Sequence, residues 1–444
     1  MNRGAYAGLR AGGVRALNLL PRPLDLDCAY SWNPSRWPLE AFNLLRKAFT
    51  FRLTRRRRAR ASLVLLYTGM FRTMKAKYPI GILGATGAVG QRYIQLLENH
   101  PWFEIVWLAA SDRSSGKSYA EAARWRLDSP LPERVAGMVV SPAEPEGAPK
   151  IIFSSVDTAI AREMEPKFAG AGCAVISNSS AFRMAPSVPL VLAEVNAGHL
   201  KLIEEQSWRK ESGGYIVTNS NCSAMGLVLA LKPLEERFGI EQIFVTTMQA
   251  VSGAGYPGVP SMDILANVIP FIASEEEKME TETLKLLGRL ESGTDSGTAG
   301  HAVTPLAAKM TAHCNRVPVI DGHTECVSLK LGSKLGRPVR REDILSAWAE
   351  FRPLAGQGLP SAPDQPVEWA AESDRPQPRL DRNRGNGMAV TVGRLRPCGV
   401  LDWKFTLLSH NTIRGAAGAT ILNAELLANL GKLEPAAAAA TAHA

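Results

Sequence analysis

The chain lacks the features that define several protein classes. Its six cysteines are spread along the sequence without a Cys-x-x-Cys pair, which indicates a reduced compartment rather than a disulfide framework. The longest apolar run, 61–70, has half of the ~20 residues that a membrane-spanning helix needs. No internal repeat is visible. The stretch from His313 to Cys326 does not have zinc-ligand spacing, so we predict no metal site.

The basic residues are unevenly distributed. The net charge of +9 suggests contact with nucleic acid, but residues 1–73 carry 14 Lys and Arg against 3 Asp and Glu, whereas residues 74–444 carry 37 against 39. We therefore expect neither a nucleic acid nor a membrane as partner. The extension 1–73 is either an organelle transit peptide or an over-long gene prediction, with translation beginning at Met74, and we favour the second. The protein is then expected to be cytoplasmic, or imported if the extension is a transit peptide.

From Tyr78 onward the pattern is typical of an α/β protein. A buried strand at 79–83 is followed by a glycine loop, a helix at 91–99 and a second strand at 103–109. This βαβ unit predicts a doubly wound parallel sheet of the Rossmann type.

The pattern changes after Cys222. Helices at 224–238 and 274–290 are mixed with strands such as 242–249, which predicts a second domain of the α+β class. The stretch 353–387 is rich in Pro, Gly and Asp, and it predicts a long excursion or linker rather than core.

A glycine loop joins the first strand to the first helix. Residues 84–90 read Gly-Ala-Thr-Gly-Ala-Val-Gly, in the position that a dinucleotide fingerprint requires. The backbone turns tightly there, and the N-terminus of the helix can meet a pyrophosphate. The expected cofactor contacts in this loop are Gly84, Thr86, Gly87, Ala88, Val89 and Gly90.

The end of the second strand bears on the choice between NAD and NADP. Arg113 and the hydroxyls of Ser111 and Ser114 suit the 2′-phosphate of NADP, and Lys117 adds a second positive charge. Asp112 argues for NAD, because a carboxylate accepts hydrogen bonds from free ribose hydroxyls. We favour NADP.

A cysteine occupies a second junction between a strand and a helix. Cys222 follows the strand 215–218, and the dipole of the helix that begins there favours a thiolate. Most single cysteines are inert core residues, but polar neighbours such as Asn221 distinguish this one. A thiolate beside a nicotinamide suggests covalent catalysis on an acyl group, because a thioester remains electrophilic enough for hydride transfer.

Seven motifs resemble those of the aspartate-semialdehyde dehydrogenase family, particularly its archaeal and fungal-like branch. They are GATGAVGQ (84–91), SNSSAFRM (177–184), EVN (194–196), SNCSAMG (220–226), RVPVIDGH (316–323), RPQPRLDR (375–382) and HNTIRGAAG (410–418). They occur in the family order between Tyr78 and Leu433, about four fifths of the chain. The resemblance implies NADPH-dependent reductive dephosphorylation of L-4-aspartyl phosphate to L-aspartate 4-semialdehyde, in the biosynthesis of lysine, threonine and methionine.

The resemblance also implies catalytic roles. Cys222 matches the nucleophile, and Gln249 matches the residue that orients the acyl intermediate, which an amide can do without competing for protons. His323 matches the acid/base, a role suited to a group whose ordinary pKa lies near neutrality. Asn411 resembles a residue near the nicotinamide amide.

The implied substrate-binding residues are mainly charged. Arg316 matches the residue that binds the α-carboxylate, and Arg183 resembles a phosphate-binding cation. Glu275 and Lys278, which share a helix face, resemble the pair that holds the substrate amino group and the phosphate. Three consecutive glutamates at 275–277 compete for that role, and we choose Glu275 from its spacing to Lys278. Asn221 is also expected to be one of the substrate-binding residues.

The resemblance further implies a domain organisation and partners. The expected parts are an extension (1–73), an NADP-binding domain (74–221), a catalytic and dimerisation domain (222–409), a C-terminal helix returning to the first domain (410–434) and a disordered tail (435–444). We expect a homodimer or homotetramer that acts on small molecules. Two alternatives stay open: an acyl reductase of the malonyl-CoA reductase type with the same machinery, and a cofactor-binding sensor without turnover. An N-acetylglutamyl-phosphate reductase is more distant, because its cysteine motif differs.

Overall fold

The computed structural model of the protein describes residues 77–292 and 300–434, which belong to one compact unit. The predicted extension at 1–73 and the predicted tail at 435–444 lie outside the described residues. Within the described ranges, none of the helices combines the length and the apolar character needed to cross a membrane.

The first half of the compact unit is built on a parallel sheet. Its strands are β1 (Tyr78–Leu83), β2 (Phe103–Ala109), β3 (Val140–Ser141), β4 (Ile151–Ser154), β5 (Ala174–Ser177) and β6 (Tyr215–Thr218). Their order is β3-β2-β1-β4-β5-β6, and every neighbouring pair is parallel. This is the strand order of a Rossmann fold, so the predicted fold class is confirmed.

Helices cover this sheet, which explains why its strands are buried. They are α1 (Ala88–Leu97), α2 (Tyr119–Ala122), α3 (Glu133–Ala136), α4 (Thr158–Gly170), α5 (Ala193–Asn196) and α6 (Ser207–Ser212). Because a parallel sheet is covered on both faces, every residue of β4, β5 and β6 is buried. The three strands end in Ser154, Ser177 and Thr218, which lie side by side in the register. Hydroxyl groups therefore line the carboxyl edge, where ligands bind to such sheets.

The second half contains a mixed sheet and the remaining helices. Its elements are α7 (Cys222–Phe238), β7 (Ile240–Gln249), α8 (Ser261–Ile264), α9 (Glu275–Leu286), β8 (Arg289–Ser292), β9 (His301–Thr304), β10 (Lys309–Arg316), β11 (His323–Leu331), α10 (Arg341–Glu350), β12 (Val367–Ala370), α11 (Pro378–Asp381), β13 (Val390–Pro397), β14 (Trp403–Ser409) and α12 (Gly418–Asn429). The sheet order is β10-β7-β11-β14-β13-β12, and β8 pairs with β9 separately. The predicted α+β class of this domain is confirmed.

The linker predicted at 353–387 is partly wrong. It contains β12, which pairs in parallel with β13 from Val367↔Val390 to Ala370↔Gly393 and extends the mixed sheet by one edge strand. Val367 and Ala370 are buried. A strand of four residues between Pro- and Gly-rich segments is too short for its alternation to stand out in the sequence.

The last helix, α12, packs mainly against the parallel sheet, although its Ala419 belongs to the core of the mixed sheet. Its residues Ile421, Leu422 and Leu426 belong to the same hydrophobic core as Ile80 and Phe103. A π-helical segment, Ile413–Ala417, leads into it. The two ends of the described chain therefore complete one core.

A buried ion pair fixes the segment before α12. Arg414 Nη2 donates to Glu194 Oε1 of α5 at 2.6 Å, and neither side chain is exposed to solvent. Arg414 Nε also donates to the carbonyl of Met388 at 2.7 Å. Both charges are thus desolvated, and each depends on the other for compensation.

Glu194→Ala is expected to lower the free energy of unfolding by about 3–5 kcal/mol, because it leaves the Arg414 guanidinium buried without its counter-charge. Urea denaturation measures the change. The matched control is Glu204→Ala. It removes an ion pair to Lys432 in which the Glu204 side chain is 52% exposed, and it should lower the free energy of unfolding by roughly 0–1 kcal/mol. Equal effects of the two substitutions would contradict the prediction.

Candidate active site

The ends of three strands of the mixed sheet form the base of the site. In the parallel pair of β7 and β10, Gln249 lies opposite Arg316, and each is the last residue of its strand. The antiparallel strand β11 begins at His323, next to the pair Thr324↔Met248. The register therefore brings an amide, a guanidinium and an imidazole to one edge of the sheet. These are three of the residues predicted from the sequence.

Cys222 reaches this edge from α7. Asn221 caps the helix, because its Oδ1 accepts hydrogen bonds from the amides of Ser223 and Ala224 at 3.1 and 2.7 Å. The sulfur of Cys222 lies 3.1 Å from His323 Nε2. A Cβ added to Gly415 would lie 2.7 Å from the Cys222 Cβ, so only glycine fits there without displacing Cys222.

One residue, Ala250, contacts both His323 and Arg316. Its N–H donates to His323 Nδ1 at 3.0 Å, and its carbonyl accepts from Arg316 Nη1 at 2.8 Å. Gly253 packs against the same two side chains: an added Cβ would lie 2.9 Å from Arg316 Nη1 and 3.2 Å from His323 Cε1. The backbone that follows β7 therefore fixes the orientation of both side chains.

The three consecutive glutamates at the start of α9 point in different directions. Glu275 is buried, and its Oε1 accepts from Gln249 Nε2 at 3.2 Å. Glu276 accepts from the amide of Cys314 on β10, and Glu277 is exposed. Lys278 is half-buried one turn after Glu275. The geometry therefore favours Glu275 as the glutamate that faces the site.

Sequence reasoning missed Glu282, a buried residue two turns after Glu275 on the same helix. Its Oε1 accepts from Arg183 Nη1 at 3.1 Å. Its Oε2 accepts from Ser220 Oγ and from the amide of Asn221, both at 2.7 Å. One carboxylate thus holds the predicted phosphate cation and the residue that precedes the nucleophile.

Lys285, one turn further along α9, was also missed. Its Nζ donates to the carbonyl of Arg183 at 2.7 Å. Charged residues recur at helical spacing at positions 275, 278, 282 and 285. This periodicity is the sequence signal from which Glu282 and Lys285 could have been found. It could not be read as functional, because charges at such spacing usually belong to a solvated face.

Burial is the largest cause of the pKa shifts of Cys222 and His323. It raises the pKa of the Cys222 thiol to about 12, an effect that Glu275 increases and that Arg316 and Arg183 oppose. Burial also lowers the pKa of His323 to about 3, and the charge of Arg316 adds to the shift. Burial therefore opposes, in the free site, the thiolate that the sequence predicted from the helix dipole.

The glycine loop has the geometry of a dinucleotide site. Gly84 has φ +86°, a left-handed conformation that favours glycine, and a Cβ on Gly90 would lie 2.3 Å from the Gly84 carbonyl oxygen. Among the residues that the structure describes, no side chain caps the N-terminus of α1, where Gly87 precedes Ala88 and Val89. Gln91 holds the loop by donating to the carbonyl of Thr86 at 3.1 Å. The helix N-terminus is therefore available to an anion.

The other predicted cofactor residues lie in two places. Ser111 and Arg113 are exposed and Ser114 is buried in the turns after β2. Asn411 is buried, with its Oδ1 accepting from the amide of Gly322 at 2.8 Å and its Nδ2 donating to Ser252 Oγ at 2.7 Å. Through these two hydrogen bonds the Asn411 amide joins two loops beside His323.

Comparison with known proteins gives the same architecture. Residues 79–203 match the family model described as semialdehyde dehydrogenase, NAD binding domain, and residues 231–414 match semialdehyde dehydrogenase, dimerisation domain. The aspartate-semialdehyde dehydrogenase of Methanothermobacter thermautotrophicus is 51% identical over 353 residues, covering 78% of this chain and 98% of that protein. The enzyme of the same name from Archaeoglobus fulgidus is 49% identical over 79% of this chain and 98% of its own length.

A solved structure supports the same relationship. The crystal structure of aspartate-semialdehyde dehydrogenase with NADP from Candida albicans is 44% identical and superposes with a TM-score of 0.72, covering 81% of this chain and all of that one. These matches confirm the family predicted from the seven motifs, and they do not favour the two alternatives. From Tyr78 to its last helix, the chain belongs to the aspartate-semialdehyde dehydrogenase family.

Proposed function

We propose that this site reduces L-4-aspartyl phosphate to L-aspartate 4-semialdehyde through a thioester on Cys222. The observation that carries the proposal is the pairing of Cys222 Sγ with His323 Nε2 at 3.1 Å, at the N-terminus of α7 and beside a buried arginine. A thiol placed in this way can attack an acyl carbon.

The charges around the thiol suit this substrate. Arg316 presents a buried guanidinium for the α-carboxylate, and Glu275 presents a carboxylate for the amino group. Arg183, with Lys278, would neutralise the phosphate; its Nε is buried without a hydrogen-bond partner among the described residues and is free to donate to an anion. Glu282 keeps Arg183 in place.

NADP is the cofactor that the chain's residues would hold. The loop Gly84–Gly90 offers backbone amides and a helix N-terminus to the pyrophosphate, and Arg113 offers a cation to the 2′-phosphate. When bound, NADPH supplies the hydride that reduces the thioester carbonyl.

The chain's own residues carry the acyl transfer. Attack by Cys222 forms a carbon–sulfur bond and breaks the bond from the acyl carbon to phosphate, which leaves as inorganic phosphate. Gln249, held by Glu275, would orient the acyl group. After reduction, the carbon–sulfur bond breaks, the aldehyde leaves, and the sulfur returns to its place beside His323.

Assembly and location belong to the same proposal. A homodimer or homotetramer is supported by the dimerisation-domain match and by exposed apolar side chains at Met262, Phe271 and Ile320. A cytoplasmic location is supported by the cysteines of the described residues, all of which are free thiols.

Cys222→Ala is expected to lower kcat at least about a thousandfold, because the thioester can no longer form. Phosphate-dependent oxidation of the semialdehyde, followed as NADPH formation, measures this loss. Cys326→Ser is the control: it removes an exposed thiol of β11 and should leave kcat within about twofold of wild type. Activity retained by the alanine variant would rule out covalent catalysis at this position.

Glu282→Gln is expected to lower kcat/KM about a hundredfold, because a neutral amide cannot both pair with Arg183 and accept from the Asn221 amide. Steady-state kinetics with phosphate as the varied substrate should show a higher KM as well as a lower kcat. Glu277→Gln, on the exposed face of the same helix, serves as the control. Matching kinetics for the two variants would show that Glu282 does not position the site.

Arg113→Ala is expected to raise the KM for NADP about tenfold and to leave the KM for NAD unchanged, since only NADP carries the 2′-phosphate. Kinetics with each cofactor measure the two effects. A parallel substitution, Lys117→Ala, compares the other cation of the turn, whose Nζ donates to the Arg113 carbonyl at 2.7 Å. If Arg113→Ala changes both KM values equally, Arg113 does not select the phosphate.

A further inference from the structure

A buried carboxyl group lies beside the carboxyl edge of the parallel sheet, outside the set of residues that the proposed reaction uses. Glu165 belongs to α4, and its side chain has no exposed surface. Its Oε1 accepts from Ser177 Oγ, at the end of β5, at 2.5 Å. Its Oε2 is buried without a hydrogen-bond partner among the described residues. Burying a carboxyl group is costly, so a carboxyl in this place indicates a specific role.

The Ser177 hydroxyl extends this contact to the backbone that follows β5. A hydroxyl has a single proton, which Ser177 donates to the Glu165 carboxyl. The same oxygen accepts from the backbone N–H of Ser179 at 3.0 Å. The hydrogen bonds therefore run in one direction, from amide to hydroxyl to carboxyl, and each strengthens the next. Glu165 is the acceptor at the end of this chain of hydrogen bonds.

The peptide group between Asn178 and Ser179 connects the chain of hydrogen bonds to Arg183. Its N–H is the group that Ser177 holds, and its carbonyl accepts from Arg183 Nη2 at 2.8 Å. In a planar trans peptide the N–H and the carbonyl point in opposite directions, so fixing one of them fixes the other. The contact between Ser177 and Glu165 therefore sets the direction of the carbonyl that binds Arg183.

Two nitrogens of the Arg183 guanidinium are held, and the third has no partner among the described residues. Nη1 pairs with Glu282 of α9 at 3.1 Å, and Nη2 is bound by the Asn178 carbonyl. The unpartnered atom is Nε, which is buried. Because a guanidinium is planar, two fixed nitrogens determine the direction in which the third faces an anion. Without the Asn178 contact, the guanidinium could turn about its ion pair with Glu282.

We infer that Glu165 is a positioning residue for the phosphate site: through Ser177 and the peptide between Asn178 and Ser179, it fixes the orientation in which Arg183 receives the phosphate group. The inference rests on the proposed function of Arg183 and deepens it, because it adds a support from the parallel-sheet domain to the one that Glu282 provides from the other domain. Glu165 acts through Arg183 and not by contact with the substrate.

The positioning depends on the acceptor oxygen of Glu165 and not on its charge. Burial raises the pKa of Glu165 to about 7, and the hydroxyls of Ser177 and Ser154 and the charge of Arg183 oppose this shift. In both protonation states the chain of hydrogen bonds is preserved, because a carboxyl with its proton on Oε2 still accepts at Oε1. A glutamine offers the same acceptor, and its amide N–H can donate to the Ser154 hydroxyl.

Glu165→Ala is expected to raise the KM for phosphate about tenfold and to leave the KM for NADP within about twofold of wild type, because the substitution releases Arg183 and not the cofactor loop. Steady-state oxidation of the semialdehyde, with phosphate and NADP varied in turn, measures the two constants. Glu163→Ala is the matched control: it removes a glutamate of α4 whose side chain is 71% exposed, and neither constant should change. Equal increases in the two KM values, or an unchanged KM for phosphate, would overturn the inference.

Two smaller substitutions carry the test if the alanine variant does not fold. Glu165→Gln retains the acceptor and should keep the KM for phosphate within about twofold of wild type. Ser177→Ala removes one hydroxyl and should raise this KM about tenfold, as Glu165→Ala does. Where Glu165→Ala folds, the two increases should not multiply in the double variant, because both substitutions break one chain of hydrogen bonds. An unchanged KM in Ser177→Ala, an impaired Glu165→Gln variant, or increases that multiply would contradict the inference.

The two proposals can fail separately, and Arg183→Ala distinguishes them. This variant should raise the KM for phosphate at least as much as Glu165→Ala. If it leaves that KM unchanged, the proposed phosphate site is wrong. If it raises the KM while Glu165→Ala and Ser177→Ala do not, the phosphate site stands and Glu165 does not position it.

Discussion

The backbone N–H and carbonyl of Ala250, the residue that follows β7, are the constraint on which the orientation of His323 and Arg316 depends. Gln249 is the last residue of β7, and the Ala250 N–H and carbonyl bond to His323 and Arg316, which belong to the two strands flanking β7. Strand pairing brings these side chains to one edge, and the hydrogen bonds to the Ala250 backbone fix their orientation. The end of β7, which lies between β10 and β11 in the mixed sheet, therefore positions the side chains of the site.

A second fixed point lies on α9. Glu282 joins the loop that carries Arg183 to the junction that carries Asn221, and Lys285 binds the carbonyl of Arg183. These contacts link a residue after β5 of the parallel sheet to a helix of the other domain. Arg183, the proposed phosphate-binding cation, and the junction that precedes Cys222, the proposed nucleophile, are thus held by one helix, as a reaction requiring close approach demands.

The sequence predicted the classes of element, which the structure confirms, and it pointed to candidate reacting residues, but it did not predict their surroundings. The Rossmann sheet followed from a clear βαβ pattern, and Cys222 from its place between a strand and a helix. The thiol pKa was not predictable in this way, because desolvation depends on the side chains that the fold packs around it. Glu282 resembled one more charge on a solvated helix, and the Ala250 backbone contacts carry no sequence signal at all.

The place of α12 in the core of the parallel sheet has a consequence for synthesis of the protein. Ile421 and Leu426 pack with Ile80 and Phe103, so the first domain to leave the ribosome is the last to complete its core. The surroundings of Cys222 are also completed late, because Gly415 forms one wall of the space around this side chain. A nascent chain that stops short of this helix exposes apolar surface of the parallel sheet and has no finished active site, which couples the appearance of activity to the completion of translation.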